Sequence, residues 1–138
     1  MNRATRVLAW LWASPNTAVG LVVGTLVLLL GGHVRFVRGA IEFSGGLLSR
    51  LIARLVRRPI GAAITLGHVI LGLNREWLDF VREHEQVHVR QYERWGPFFL
   101  PAYVLSSLWQ FVRGRRAYRD NWFERQAFAA GSAEIARR

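Results

Sequence analysis

The sequence predicts an α+β fold: a small β-sheet followed by three helices, all preceded by an apolar N-terminal segment. Three observations lead there. Thr17 to Gly32 runs without a charge. Residues 33–73 hold short stretches rich in β-branched and aromatic residues, bounded by glycine and proline. From Asn74 onward, apolar residues recur at helical spacing, punctuated by Gly96-Pro97 and Gly114. The chain of 138 residues is one domain's worth, divided here into residues 1–32 as a membrane anchor and 33–138 as the domain.

Composition narrows the function classes. Hydrophobic residues make up 51%, mean hydropathy is +0.14, and six Trp and eight Phe are high for a wholly soluble domain. The net charge of +10 is carried by arginine alone, spread along the chain apart from Arg57-Arg58, Arg115-Arg116 and Arg137-Arg138. A solvated basic surface accounts for that pattern, and contact with anionic lipid headgroups is the sharper alternative. The chain has no recognised nucleic-acid module and no dense basic stripe interleaved with aromatics, which argues against nucleic acid as a partner. Cysteine is absent, so disulfides and thiolate metal sites are excluded. Any metal must be held by histidine and carboxylate.

Arg3, Arg6 and Trp10-Leu11-Trp12 open the chain and Ser14-Pro15-Asn16 closes that stretch. The uncharged run that follows is just short of the roughly 17–25 residues needed to cross a bilayer. Counting back to Val7 lengthens it, with an interruption at Ser-Pro-Asn and tryptophans where an interfacial belt would put them. This segment is expected to anchor the chain in membrane lipid, tilted or hairpin-like; a buried core segment is the alternative. Gly20 and Gly24 form G-x-x-x-G, a spacing that lets helices approach closely. Arg35, Arg38 and Arg50 outnumber Arg3 and Arg6, favouring a cytoplasmic C-terminal part.

His33 to Phe43 reads as one or two short strands, and Leu47 to Leu55 as a short basic amphipathic helix or loop on a membrane surface, stopped by Pro59. Ala62 to Leu73 reads as a further single strand with Ile64, Leu66, His68 and Ile70 on one face. There His68 is either a hydrogen-bonded core residue or an extra ligand. Asn74 caps a helix reaching about Trp95, with Glu76 in its first turn. Its apolar positions Trp77, Val81, Tyr92 and Trp95 share a stripe with His84 and His88, while its many charges exclude a membrane span. Gly96-Pro97 breaks it, and Phe98 to Val112 forms a second, mostly apolar helix carrying Pro101. Asp120 or Asn121 caps a third, from Trp122 to about Ala130, with a frayed polar tail after it.

The chemistry centres on His84-Glu85-Gln86-Val87-His88. On a helix, positions four apart share a face, so His84 and His88 can put two imidazole nitrogens on one metal ion. Glu85 then stands where a carboxylate can take a proton from metal-bound water. A catalytic zinc site needs a third protein ligand. The metzincin pattern asks for Gly and His at positions occupied by Gln91 and Arg94, and so fails. Glu124, on a later helix after one intervening helix, can fold back beside the histidines, with Asp120 its rival. Glu93 is turned well off the His88 face by helical geometry.

The run HEQVHVRQYERWGPFFLPAY from His84, with AYRDNWFERQA from Ala117, resembles a group of small, uncharacterised bacterial HExxH proteins. These look like minimal gluzincin-type zinc metallopeptidases, and the resemblance covers roughly residues 60–130. The order of elements is expected to give an α+β fold of zincin type, the apolar N-terminal segment to place the chain at a bacterial inner membrane, and a peptidase of this kind to act on a peptide or protein substrate. The resemblance implies Zn2+ held by His84, His88 and Glu124, with Glu85 as general base and acid. One position departs: thermolysin-like gluzincins carry an Asp four residues after the ligand Glu, bonded to the first histidine, and here that residue is Phe128. Tyr118 or Tyr103 could supply a donor to a developing oxyanion. The competing class is a non-catalytic, membrane-associated interaction protein with a structural or decayed metal site. Glu85 speaks for catalysis, since a structural site has no use for that carboxylate.

Overall fold

The computed structural model describes residues 2–55 and 63–137. Along the chain run α1 (Arg3–Leu29), β1 (Gly32–Val37), β2 (Ala40–Gly45), α2 (Gly46–Leu55), β3 (Ala63–Leu66), β4 (Val69–Gly72), α3 (Arg75–Trp95), a 3-10 turn (Gly96–Phe98), α4 (Phe99–Val112) and α5 (Trp122–Ile135). This is an α+β fold built on one small mixed sheet. Pro59 and the Arg57-Arg58 pair lie outside the described residues.

The first helix passes through Ser14-Pro15-Asn16 without the interruption the sequence suggests. Proline has no N–H to offer the carbonyl four residues back. That carbonyl belongs to Leu11, and Ser14 Oγ donates to it at 2.7 Å, so the exposed turn stays satisfied. The resulting helix is long and apolar enough to cross a membrane, judged by length and composition. One stripe turns inward: Ala13, Thr17, Gly20, Gly24 and Val27 are buried. The two glycines seat α1 on the sheet rather than on another helix. A Cβ at Gly20 would lie 2.6 Å from Val69 Cβ, and one at Gly24 would run into the Phe43 ring. Val27 joins Phe43, Val69 and Leu71 in one buried cluster, and Ala13 joins Tyr92, Phe99 and Phe123 in another. Helix α1 therefore shares its core with the sheet and with α3, α4 and α5, while Val7, Leu8, Leu11, Val22 and Leu29 remain exposed on the outer face.

The sheet order is β1-β2-β4-β3, with β2 and β4 parallel and the other two pairs antiparallel. The stretch read as one strand from Ala62 is instead a hairpin. Leu66 pairs with Val69, leaving Gly67-His68 as a two-residue loop, and Gly67 has φ +63. Glycine at the first loop position is what such tight, twist-matched hairpins require. His68 therefore sits in a turn and not on a strand face. Residues 33–45 give two strands, joined through Arg38 and Gly39, both at positive φ.

Asn74 Oδ1 accepts the Trp77 N–H at 2.7 Å and starts α3, which lies across the sheet. Buried Glu42 of β2 clamps the two layers, accepting from Arg35 Nε at 2.5 Å and Arg82 Nε at 3.2 Å. Arg38 pairs with Glu83. Two of the arginines counted for membrane topology are thus engaged in ion pairs inside the fold. Pro101 falls in the first turn of α4, where its missing N–H is not needed. The α5 cap is Asn121, whose Oδ1 accepts the Phe123 N–H at 2.9 Å, and the helix runs on to Ile135, further than its apolar pattern suggests.

Candidate metal centre

Helix α3 supplies His84 and His88 from one face, and α5, packed alongside it, brings Glu124 to them. His84 Nε2 and His88 Nε2 are 3.2 Å apart; Glu124 Oε2 is 3.1 Å from His84 Nε2, and Oε1 is 3.4 Å from His88 Nε2. Ligands about 2.0 Å from a tetrahedral zinc lie about 3.3 Å from one another. The three side chains are therefore spaced as the edges of such a site, and form a group that could hold a metal ion. The chemistry of the donor set agrees. Two imidazole nitrogens and a carboxylate oxygen at this separation are stable only around a shared cation, proton or metal. Glu124 Oε2 is buried and makes no hydrogen bond of its own, whereas Oε1 accepts the Tyr103 hydroxyl at 2.6 Å.

Gln91 fixes which nitrogen of His88 faces the site. Its Nε2 donates to the Phe123 carbonyl at 3.1 Å and to Gln126 Oε1 at 3.0 Å, which turns its own Oε1 to His88 Nδ1 at 2.9 Å. His88 Nδ1 then carries the proton and Nε2 presents a lone pair, the arrangement a metal ligand needs. Sequence reasoning used Gln91 solely to dismiss a different motif; its place three residues after His88, on the same face, was the available signal. The residue against His84 is Phe128, ring to ring at 4.7 Å, so an aromatic contact occupies the place of a supporting carboxylate.

The electrostatics follow from this cluster. Without a metal, Nε2 is instead a site for a second proton: burial would lower the His88 imidazole, but the Glu124 carboxylate against Nε2 and the charge of Glu85 outweigh it and raise its pKa. Burial would raise the Glu124 carboxyl, but the His84 and His88 imidazoles set against it, with the Tyr103 hydroxyl, hold it far below the usual range. Glu85 is buried beside the histidines, its Oε2 accepting the Thr65 hydroxyl of β3 at 2.7 Å. Nothing in the sequence marked Thr65, because its partner lies on another element.

Tyr118 lines the same cavity of about 370 Å³ as Glu85, His88 and Glu124. Burial and the two carboxylate charges push its phenol well above its ordinary value, so it is a neutral donor. The rival ligands are elsewhere. Asp120 accepts the Arg116 backbone N–H at 2.9 Å and pairs with that arginine's side chain. His68 is buried beneath the Trp10 ring at 3.9 Å, its Nε2 3.2 Å from Glu93, which faces away from the centre as helical geometry requires. No family model, curated protein or solved structure matches this chain.

Proposed function

We propose that the protein is a membrane-associated zinc metallohydrolase, a peptidase of gluzincin type on a zincin-like fold, at the bacterial inner membrane. The observation that carries this reading is the convergence of His84, His88 and Glu124 at tetrahedral-edge spacing, with Glu85 buried beside them. Zinc held there would supply an acidified water and polarise a carbonyl. Glu85, oriented by Thr65, takes the water's proton and returns it to the leaving amine. Tyr118 donates to the carbonyl oxygen as it gains charge. The edge strand β3 bounds the cavity through Ile64, Thr65 and Leu66, which favours an extended peptide laid along it. Retention of Glu85 in a buried, oriented state favours catalysis over a purely structural site. Helix α1 supplies the membrane contact. The test is Glu85→Gln in detergent-purified protein, assayed for zinc and against a peptide library. The variant is expected to keep zinc and lose hydrolysis. Cleavage at the wild-type rate would refute the assignment.

A further inference from the structure

Helix α4 is turned inside out. Its inward face carries Tyr103, Ser106, Ser107 and Gln110, at helical spacing. Ser106 Oγ accepts the Trp122 N–H at 3.0 Å, Ser107 Oγ accepts from Asn121 Nδ2 at 2.7 Å, and the Tyr103 hydroxyl donates to Glu124. The outward face carries Leu100, Val104, Leu105, Leu108, Trp109 and Phe111, exposed by 39–68%. A helix in water places these residue types the other way round.

What covers this face can be argued from its surroundings. From Pro97 to Val112 the chain carries no charge, and the stretch is bracketed by Arg94 and Trp95 at one end and by Trp109, Arg113, Arg115 and Arg116 at the other. The Arg113 guanidinium lies over the Trp109 ring at 5.4 Å. Aromatic and arginine groups flanking an apolar stretch are the groups that settle at the polar boundary of a bilayer, and the net +10 charge complements anionic headgroups. The face is also continuous with the exposed apolar side of α1: the Trp12 and Phe98 rings are 6.0 Å apart, and Asn16 Nδ2 donates to the Gly96 carbonyl at 3.4 Å. A protein partner meets a polar rim with hydrogen-bonding groups; the outward side chains of Leu100, Val104, Leu105 and Leu108 offer none. Fourteen residues make a helix about 21 Å long, short of the roughly 30 Å hydrocarbon core.

We propose that α4 is a second bilayer-inserted element, sunk to partial depth in the hydrocarbon beside α1. Leu100, Ile52 and Ile64 are exposed and form the rim of the metal cavity, so the cavity opens at the lipid boundary. Resting on the hydrolase reading, this makes the substrate a peptide held in or against the membrane.

The test exploits the cysteine-free chain. Single-cysteine variants of the full-length protein at Leu105 and Leu108 are labelled with an environment-sensitive fluorophore and reconstituted in phosphatidylcholine–phosphatidylglycerol vesicles. Val22 on the outer face of α1 and Glu76 at the start of α3 serve as membrane and aqueous references. The α4 probes are expected to be quenched by lipid-borne nitroxide as strongly as Val22, and shielded from iodide at least fivefold relative to Glu76. Iodide access at both α4 sites, with Val22 shielded, would overturn the inference alone. Shielding from both quenchers would mean a second copy or another protein covers the helix, and would overturn it equally. Iodide access at Val22 as well would remove the membrane association in the functional reading. None of these outcomes depends on zinc or on hydrolysis.

Discussion

Replacing Glu124 with glutamine tests the metal centre with almost no change in shape. Tyr103 donates to Glu124 Oε1 at 2.6 Å, so the new side chain keeps its carbonyl oxygen there. Its NH2 group is then forced into the position of Oε2, 3.1 Å from His84 Nε2. A donor would stand where a ligand lone pair is needed, and the negative charge is gone. Removing a group that merely supports a ligand costs about 10–100-fold in metal affinity. Gln91→Ala, which frees the His88 tautomer, belongs in that range. Glu124→Gln removes a ligand atom and its charge together, so its loss exceeds about 100-fold, or about 2.8 kcal/mol at 25 °C. Competition with a chromophoric zinc chelator in detergent measures both variants beside wild type, with far-UV circular dichroism reporting the fold. Zinc binding by Glu124→Gln within a few-fold of wild type would refute the ligand set. A larger loss in Gln91→Ala than in Glu124→Gln would refute the assigned roles of the two side chains.

Three further outcomes are expected. Thr65→Val keeps the volume of the buried side chain but leaves Glu85 Oε2 without its 2.7 Å donor; kcat should fall about tenfold while zinc content and KM hold, and an unchanged kcat would show that Glu85 needs no orienting. Gly20→Val drives a Cβ to within 2.6 Å of Val69 Cβ and should destabilise the fold by about 1–3 kcal/mol, seen as a lower melting temperature in detergent; wild-type melting would contradict the seating of α1 on the sheet. His68 gives a pH dependence: burial lowers its pKa below the ordinary 6.5, with Glu93 opposing. The unfolded chain then takes up that proton first, so the contribution is complete above about pH 6.5 and is lost as pH falls from there to the lowered value. Stability should drop between pH 7 and pH 5 in the wild type and less in His68→Phe; equal slopes in the two proteins would remove His68 as the cause.

How much of this was legible in the sequence follows from where each feature gets its cause. The extent of α3, its Asn74 cap and the inward turn of His84 and His88 depend on local spacing, and all appear where the pattern puts them. Glu124 could be selected over Asp120 because a helix hairpin brings it back, and the structure joins it to the histidines while Arg116 engages Asp120. The hairpin at Gly67-His68 was hidden because an alternating apolar stretch with one glycine fits a continuous strand as well as a turn. Pro15 failed to break α1 because a neighbouring serine replaced the lost donor, a compensation one residue away that propensity does not register. Thr65 and Gln91 were missed for a different reason: their value lies in partners on other elements or in a chain of bonds that ends at Phe123 and Gln126. Helix α4 shows the limit most clearly. Its two faces are separable in the sequence, but the sign is not, since periodicity states that two faces differ and not which one turns inward. The fold settles it by giving Ser106, Ser107 and Tyr103 polar partners around Asn121 and Glu124. Once those bonds are made, Val104, Leu105 and Leu108 have no place on that side, and the apolar residues from Leu100 to Phe111 must find their solvent outside the protein.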